Sequence, residues 1–398
     1  MQYNFDKIID RHNTDSLKYD FASKRGKPKD ILPLWVADMD FPAPQEVIEA
    51  LQAKALHGIY GYSDAADSSY FNALYNWYYK RYGWELHPDW ILKTPGIVFA
   101  ICAAIRALTD KGDAILIQEP VYYPFSESVL SNDRSLIVNE LVYNDNKYSI
   151  DLVDFENKII KNRVKMFILC SPHNPVGRVW SEAELNAMGE ICYKHGIYVV
   201  SDEIHSDFVY PGKRHHVFAN LKPGFSDITI TCTSPTKTFN LAGLQISNII
   251  ISNTSLRRKI KQEIDKTGYS QPNLMGLTAC KAAYGHGEQW LEELICYLTD
   301  NLSYVREFIN RRLPELRLVE PEGTFLAWLD CSGLGLSDKE LDSLIVHKAG
   351  LWLDAGTMFG TSGSGFQRIN IACPREILDT ALKKLEGAID SLRAAKAL

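Results

Sequence analysis

The sequence predicts an α/β chain: a mostly parallel sheet covered by helices on both faces, with a smaller α+β unit attached. Three observations carry this. Short apolar runs alternate with helical runs from about residue 90 to 285. Polar clusters follow several of the apolar runs directly. After residue 285 the texture changes to one long amphipathic helix followed by short strands. Strands spaced by helices are joined by crossovers and buried on both faces, which is why they read as unbroken apolar runs.

In chain order, residues 1–30 are polar and loop-like, and ILPLWVADMDFPAP (31–44) is an extended apolar segment closed by prolines. Pro44 opens a helix whose apolar positions Val47, Ile48, Leu51, Ala55 and Leu56 recur at helical spacing, and Gly58 ends it. Gly96 precedes the helical run IVFAICAAIRAL, which stops near Gly112. DAILIQEP, VKMFILC (164–170), IYVVS (197–201) and DITITCT (227–233) read as strands. Ser181 with Glu184 is a capping box, in which each residue satisfies the other's free amide, and its helix ends at His195-Gly196. Beyond lie a helix over 287–312, the strand TFLAWLD, and a second capping box at Ser337 and Glu340 opening a helix to Gly350. The strands WLDAG and RINIAC and a helix from about 376 complete the chain. The expected domains are 46–287 for the large sheet, and 1–45 with 288–398 for the small unit.

Composition narrows the function. The 398 residues are ample for a buried core without disulfide or metal. With 43 Lys and Arg against 49 Asp and Glu, the net charge of −6 argues against nucleic acid or an anionic membrane as partner. The closest two of eight cysteines are 16 residues apart, so there is no CxxC metal or redox pair. Cys170 and Cys232 sit within apolar runs and read as core thiols. No signal-like or membrane-length apolar run is present, and a reducing cytoplasm with a small-molecule substrate is the expected setting.

Ligands of open α/β sheets bind beyond the carboxyl ends of strands. Four clusters can meet there: Thr94-Pro-Gly96-Ile97-Val98, Ser171-Pro-His-Asn174-Pro-Val-Gly177, Asp202-Glu-Ile-His205 and Ser234-Pro-Thr-Lys237-Thr-Phe-Asn240. Lys237 lies four residues past an apolar strand, among small polar residues. A lysine at such a place loses water and becomes a nucleophile, although a loop lysine is ordinarily solvated. Taken singly, Asp202 also reads as a cap carboxylate, Asn174 as a turn residue, His205 as a core histidine and Arg368 as an exposed strand-end arginine. Tyr122 and Tyr123 also read as core aromatics, and the loop Gly360–Gly365 as a connector without nucleotide-binding glycine order. The order Asn174, Asp202, Lys237, with gaps of 28 and 35 residues, is more specific than any member.

That order resembles fold-type I pyridoxal-5′-phosphate enzymes of the class I/II aminotransferase superfamily, over essentially the whole chain. Within it the sequence is most similar to the MalY/PatB branch of cystathionine and cysteine-S-conjugate β-lyases. The matching stretches are LPLWVADMDFPAP, GIYGYSD (58–64), EPVYYPF (119–125), SDEIHSDFVYPG (201–212), SPTKTFNLAGLQ (234–245) and GFQRINIACPRE (365–376). The resemblance implies a seven-stranded-type large sheet and a homodimer with shared active sites. It implies that Lys237 bonds the aldehyde of pyridoxal 5′-phosphate and then moves the Cα proton. Asp202 keeps the pyridine nitrogen protonated, Asn174 faces the phenolic oxygen and Tyr122 stacks on the ring. Gly96, Ile97 and Val98 offer amides to the phosphate, joined by the hydroxyls of Ser234 and Thr236. Arg368 clamps the substrate carboxylate, with Tyr123 and Asn174 beside the substrate. Tyr62, in preference to Tyr60, reaches the neighbouring subunit's phosphate or substrate.

Two positions depart from the wider superfamily. His205 stands where many relatives carry a tyrosine facing the phenolic oxygen, and Gln245 where many carry a phosphate-binding arginine. Both point to the β-lyase branch. The implied reaction is α,β-elimination from L-cystathionine or another cysteine S-conjugate, giving a thiol, pyruvate and ammonia. Amino-group transfer to a 2-oxo acid uses the same residues and stays open, as does an added regulatory protein-binding role.

Overall fold

A computed structural model describes residues 3–64 and 67–396. Its main sheet has seven strands: β1 (Ile91–Thr94), β2 (Ala114–Glu119), β3 (Ser135–Glu140), β4 (Met166–Cys170), β5 (Tyr198–Asp202), β6 (Thr229–Thr233) and β7 (Ser247–Ile250). Their spatial order is β1-β7-β6-β5-β4-β2-β3. All neighbouring pairs are parallel except those made by β7, which runs antiparallel to both β6 and β1. Reversing twice leaves β1 parallel to β6. Six strands therefore end at the same edge, at Thr94, Glu119, Glu140, Cys170, Asp202 and Thr233.

The faces of β2, β4 and β6 are buried throughout, and those of β5 from Val199 onward, so their sequences need no polar alternation. Helices α1 (Gln45–His57), α2 (Ser68–Tyr82), α3 (Ile97–Leu108), α4 (Pro124–Ser131), α5 (Leu152–Asn162), α6 (Glu182–Lys194), α7 (Thr254–Lys266) and α8 (Leu274–His286) surround the sheet and its flank. One face packs α3, α4 and α7 around Ile101, Ile105 and Ile260; the other packs α5 and α6 around Phe155, Leu185 and Phe167. The capping box of Ser181 and Glu184 is formed as the sequence predicts. Cys170 and Cys232 are buried core thiols.

Helix α9 (Glu288–Arg312) leads into a smaller antiparallel sheet of β8 (Arg317–Val319), β9 (Leu326–Asp330), β10 (Asp354–Ala355) and β11 (Phe366–Asn370), in the order β8-β9-β11-β10. Helix α10 (Asp338–Ser343) follows the second capping box, and α11 (Arg375–Lys396) ends the chain. Two details differ from the sequence reading. The helix expected to reach Gly350 widens after Ser343 into a π turn over Leu344–Lys348. The run WLDAG is divided: Leu351–Trp352 pairs in parallel with Leu32–Pro33, while Asp354–Ala355 joins the small sheet. The N-terminal segment is thereby tied to the small sheet's side of the molecule. Phe5 also packs against Phe41 and Trp290, at ring distances of 5.1 and 5.8 Å.

Close packing behind the sheet sets a testable limit. A Cβ on Gly189 of α6 would lie 2.2 Å from the Phe225 ring, which is itself stacked on Phe218 at 5.3 Å. Gly189→Ala should cost about 1–3 kcal/mol by overpacking, seen as a lower urea midpoint. An unchanged midpoint would mean that the helix shifts outward freely.

Candidate active site

The shared strand edge opens into a cavity of about 310 Å³. Each cluster enters it from a strand end. Asp202 is the last residue of β5 and lies in register with Cys170, the last of β4. Ser234 then caps the single turn Pro235–Thr238 by accepting the Thr236 amide at 3.1 Å, which presents Lys237. Gly96 starts α3, whose first residues Ile97 and Val98 also line the wall. After β2, Tyr122 donates its backbone N–H to the Asn174 carbonyl at 3.0 Å, which joins two of the clusters. Arg368 comes from β11, in the small sheet.

The cavity brings together Gly96, Ile97, Val98, Tyr122, Tyr123, Asn174, Asp202, His205, Thr236, Lys237 and Arg368. Ser234 is not on the wall: its hydroxyl donates to the Ile246 carbonyl at 2.7 Å and contacts the Thr236 hydroxyl at 2.7 Å. It positions Thr236. Tyr62 lies outside the cavity with its side chain in solvent, 95% exposed. Gln245 ends the turn Ala242–Leu244 in left-handed geometry, φ 50°, and does not reach the wall.

Electrostatics single out four groups. Burial pushes the Lys237 amine down to about 8; Asp38 opposes this, Arg368 adds to it, and Asp202 opposes it. Its Nζ donates to the Ala37 carbonyl at 2.7 Å. Burial pushes Asp202 up to about 7, against the Ile204 N–H that its carboxylate accepts at 3.1 Å. Burial pushes His205 down to about 3, with the cations Lys237 and Arg368 in support, so its ring is neutral. Arg368 is buried, not exposed: it pairs with Asp354 directly across the β10–β11 ladder, and donates to Asn174 Oδ1 at 2.9 Å and the Trp35 carbonyl at 3.0 Å. Its Nε has no partner among the described residues, nor does His205 Nδ1.

Sequence reasoning missed several wall residues. Trp35, Val36 and Ala37 come from the N-terminal segment, and Asp354 is the counter-ion of Arg368. The signal available was the Trp within LPLWVADMDFPAP, an apolar stretch too short and too proline-bounded for a core helix. No group of metal-ligating side chains occurs among the described residues. No described helix is long and apolar enough to cross a membrane.

The donor set fits pyridoxal 5′-phosphate. An amine for an aldehyde, a buried carboxylate for a ring nitrogen, and a tyrosine beside it line one cavity. Helix-start amides and a threonine hydroxyl suit a phosphate at the same wall. A Cβ on Gly96 would meet nothing within 4 Å, so the backbone there is open to an incoming group.

The raised Asp202 pKa has a stability consequence. A carboxyl whose folded value exceeds its unfolded one stabilises fully below about pH 4 and loses that contribution as pH rises through about 7. The cofactor-free Asp202→Asn variant should therefore gain on wild type, by up to about 4 kcal/mol, between pH 4 and 8. Urea midpoints of the two proteins across that range check this. A gap independent of pH would mean that Asp202 is not desolvated.

Comparison with known proteins agrees with this geometry. Residues 29–385 match the family model described as aminotransferase class I and II. Cystathionine beta-lyase PatB of Bacillus subtilis is 42% identical over 386 residues, covering 97% of this chain and 100% of that protein. Protein MalY of Escherichia coli is 32% identical, covering 99% and 100%. Among solved structures, cystalysin from Treponema denticola, which contains a pyridoxal 5′-phosphate cofactor, superposes with a TM-score of 0.95 at 36% identity, covering 98% of this chain and 100% of that one. The chain belongs to the aminotransferase class I and II family, in the branch that holds PatB and MalY.

Proposed function

We propose that this protein is a pyridoxal-phosphate-dependent C–S β-lyase that cleaves L-cystathionine or a related cysteine S-conjugate to a thiol, pyruvate and ammonia. The observation that carries the reading is the whole-length likeness to PatB, together with a cavity furnished for the cofactor. When bound, the cofactor supplies an electron sink for negative charge at the substrate Cα.

The chain's own groups do the rest. Lys237, held to about 8, can both give and take a proton near neutral pH, and it stands where it can serve the Cα. Asp202 is a carboxylate in a dry setting, so a cationic ring nitrogen is its natural partner. Arg368 offers a planar fork to the substrate carboxylate, and its pairing with Asp354 holds that fork in place. The Phe359 ring lies under its guanidinium at 4.8 Å. Tyr123 stands beside this pair, its hydroxyl kept protonated by burial and by Asp354. Trp35, stacked on Trp352 at 4.3 Å, adds an aromatic wall to the cavity. Neutral His205 contributes no charge at the ring.

A homodimer with shared sites is part of this reading. Leu56, Ile59 and Tyr62 expose 89%, 70% and 95% of their surface in one short stretch, an apolar run that a second subunit would cover. The Tyr60 hydroxyl donates to the Ala55 carbonyl at 2.9 Å, whereas Tyr62 is 95% exposed, which supports Tyr62 as the residue that crosses.

Elimination and amino-group transfer part at a measurable point. With L-cystathionine and no oxo acid, the protein should release pyruvate continuously. One turnover that stalls until an oxo acid is added would mean an aminotransferase. Arg368→Gln removes charge-assisted hydrogen bonds worth about 1.5–3 kcal/mol, so KM for α-carboxylate substrates should rise roughly tenfold to hundredfold. An unchanged KM would remove Arg368 from the site.

A further inference from the structure

The segment Trp35–Phe41 crosses the site as a strap, and six of its seven backbone carbonyls accept from side chains of the lysine loop and the arginine strand. Trp35 O accepts from Arg368 at 3.0 Å, and Ala37 O from Lys237 at 2.7 Å. Val36 O and Asp38 O accept from Asn370 Nδ2 at 2.7 and 2.6 Å. Met39 O and Phe41 O accept from Asn240 Nδ2, each at 2.9 Å. Asn240 lies three residues past Lys237, and Asn370 two past Arg368. The strap thus binds the lysine loop and the arginine strand together.

Charge fixes the strap from its other side. Asp38 receives Arg11 at 2.8 and 3.2 Å, with Lys18 at 3.7 Å. Asp40 receives Arg11 at 2.7 Å, Lys18 at 2.8 Å and the Tyr19 hydroxyl at 3.1 Å. Lys18 has no exposed surface, a state that only paired lysines hold. Two cations and two carboxylates make a neutral cluster built from residues 11–40.

We propose that Asp38 is a positioning residue for Lys237: clamped by Arg11 and Lys18, it fixes the strap carbonyl that receives the lysine amine and sets a negative charge behind it. This rests on the proposed function, in which the amine must leave the cofactor when substrate arrives and still be held in reach. The Ala37 carbonyl is a fixed acceptor for it, in either protonation state. Burial lowers the amine, and Asp38 heads the charges that hold it up. The other titratable and charged groups lining the same cavity are Asp202 at the end of β5, His205 after it, Tyr122, Tyr123, Asp354 and Arg368; Arg11, Lys18 and Asp40 stand behind Asp38.

The test is a visible-absorption pH titration of the holoenzyme, following the band of lysine-bound cofactor. Removing the negative charge in Asp38→Asn should shift its midpoint down by about half a pH unit or more. A midpoint that stays or moves up overturns the proposal. If Asp38→Asn does not fold, Arg11→Gln decides: loss of the positive charge should move the midpoint up, and no shift or a downward one overturns the proposal. Wild type without any visible band would overturn the proposed function itself, whereas a titrating wild type with an unmoved variant overturns only the role of Asp38.

Discussion

Two cations share a cavity of about 310 Å³, and the rest of the site is arranged around keeping both usable. Arg368 is buried, burial also desolvates Lys237, and the charge of Arg368 acts against that of Lys237. Arg368 is balanced by Asp354, and Lys237 first by Asp38 of the strap and then by Asp202. Asp354 meets Arg368 across a ladder of the small sheet, and Asp202 ends a central strand of the large one. A buried pair of this kind gains little net stability, because desolvation offsets attraction. In the proposed function its value is geometric: the guanidinium fork is aimed before any substrate arrives.

The two sheets could not hold these groups in register by themselves. Lys237 belongs to one and Arg368 to the other. The strap at residues 35–41 joins them through Asn240 and Asn370, whose side-chain amides donate to its backbone carbonyls. The polar N-terminal segment then gains a physical role. Its charges neutralise those of the strap, and a fully buried lysine in a stretch that reads as surface loop is the trace of that role.

Much of this was legible from the chain. Apolar runs ending in polar clusters placed Asn174, Asp202 and Lys237 at one sheet edge, because parallel strands leave their carboxyl ends together. Both capping boxes formed where Ser181 and Ser337 precede glutamates by three. Residue roles came from family resemblance, since spacing alone left Asp202 as good a cap as a ligand. What stayed hidden depends on distant partners. Nothing local tells that Asp354 will face Arg368, that WLDAG will divide between two sheets, or that Ser234 will turn to the Ile246 carbonyl. The strap is the extreme case: its acceptors meet donors about 200 and 330 residues away.

In the proposed function Lys237 is the point where the cofactor is held. Borohydride reduction of the holoenzyme, followed by peptide mass spectrometry, reads that point directly. The prediction is a single pyridoxyl-modified peptide, with the modification on Lys237. Modification of a different lysine, or none in protein that carries cofactor, would contradict it.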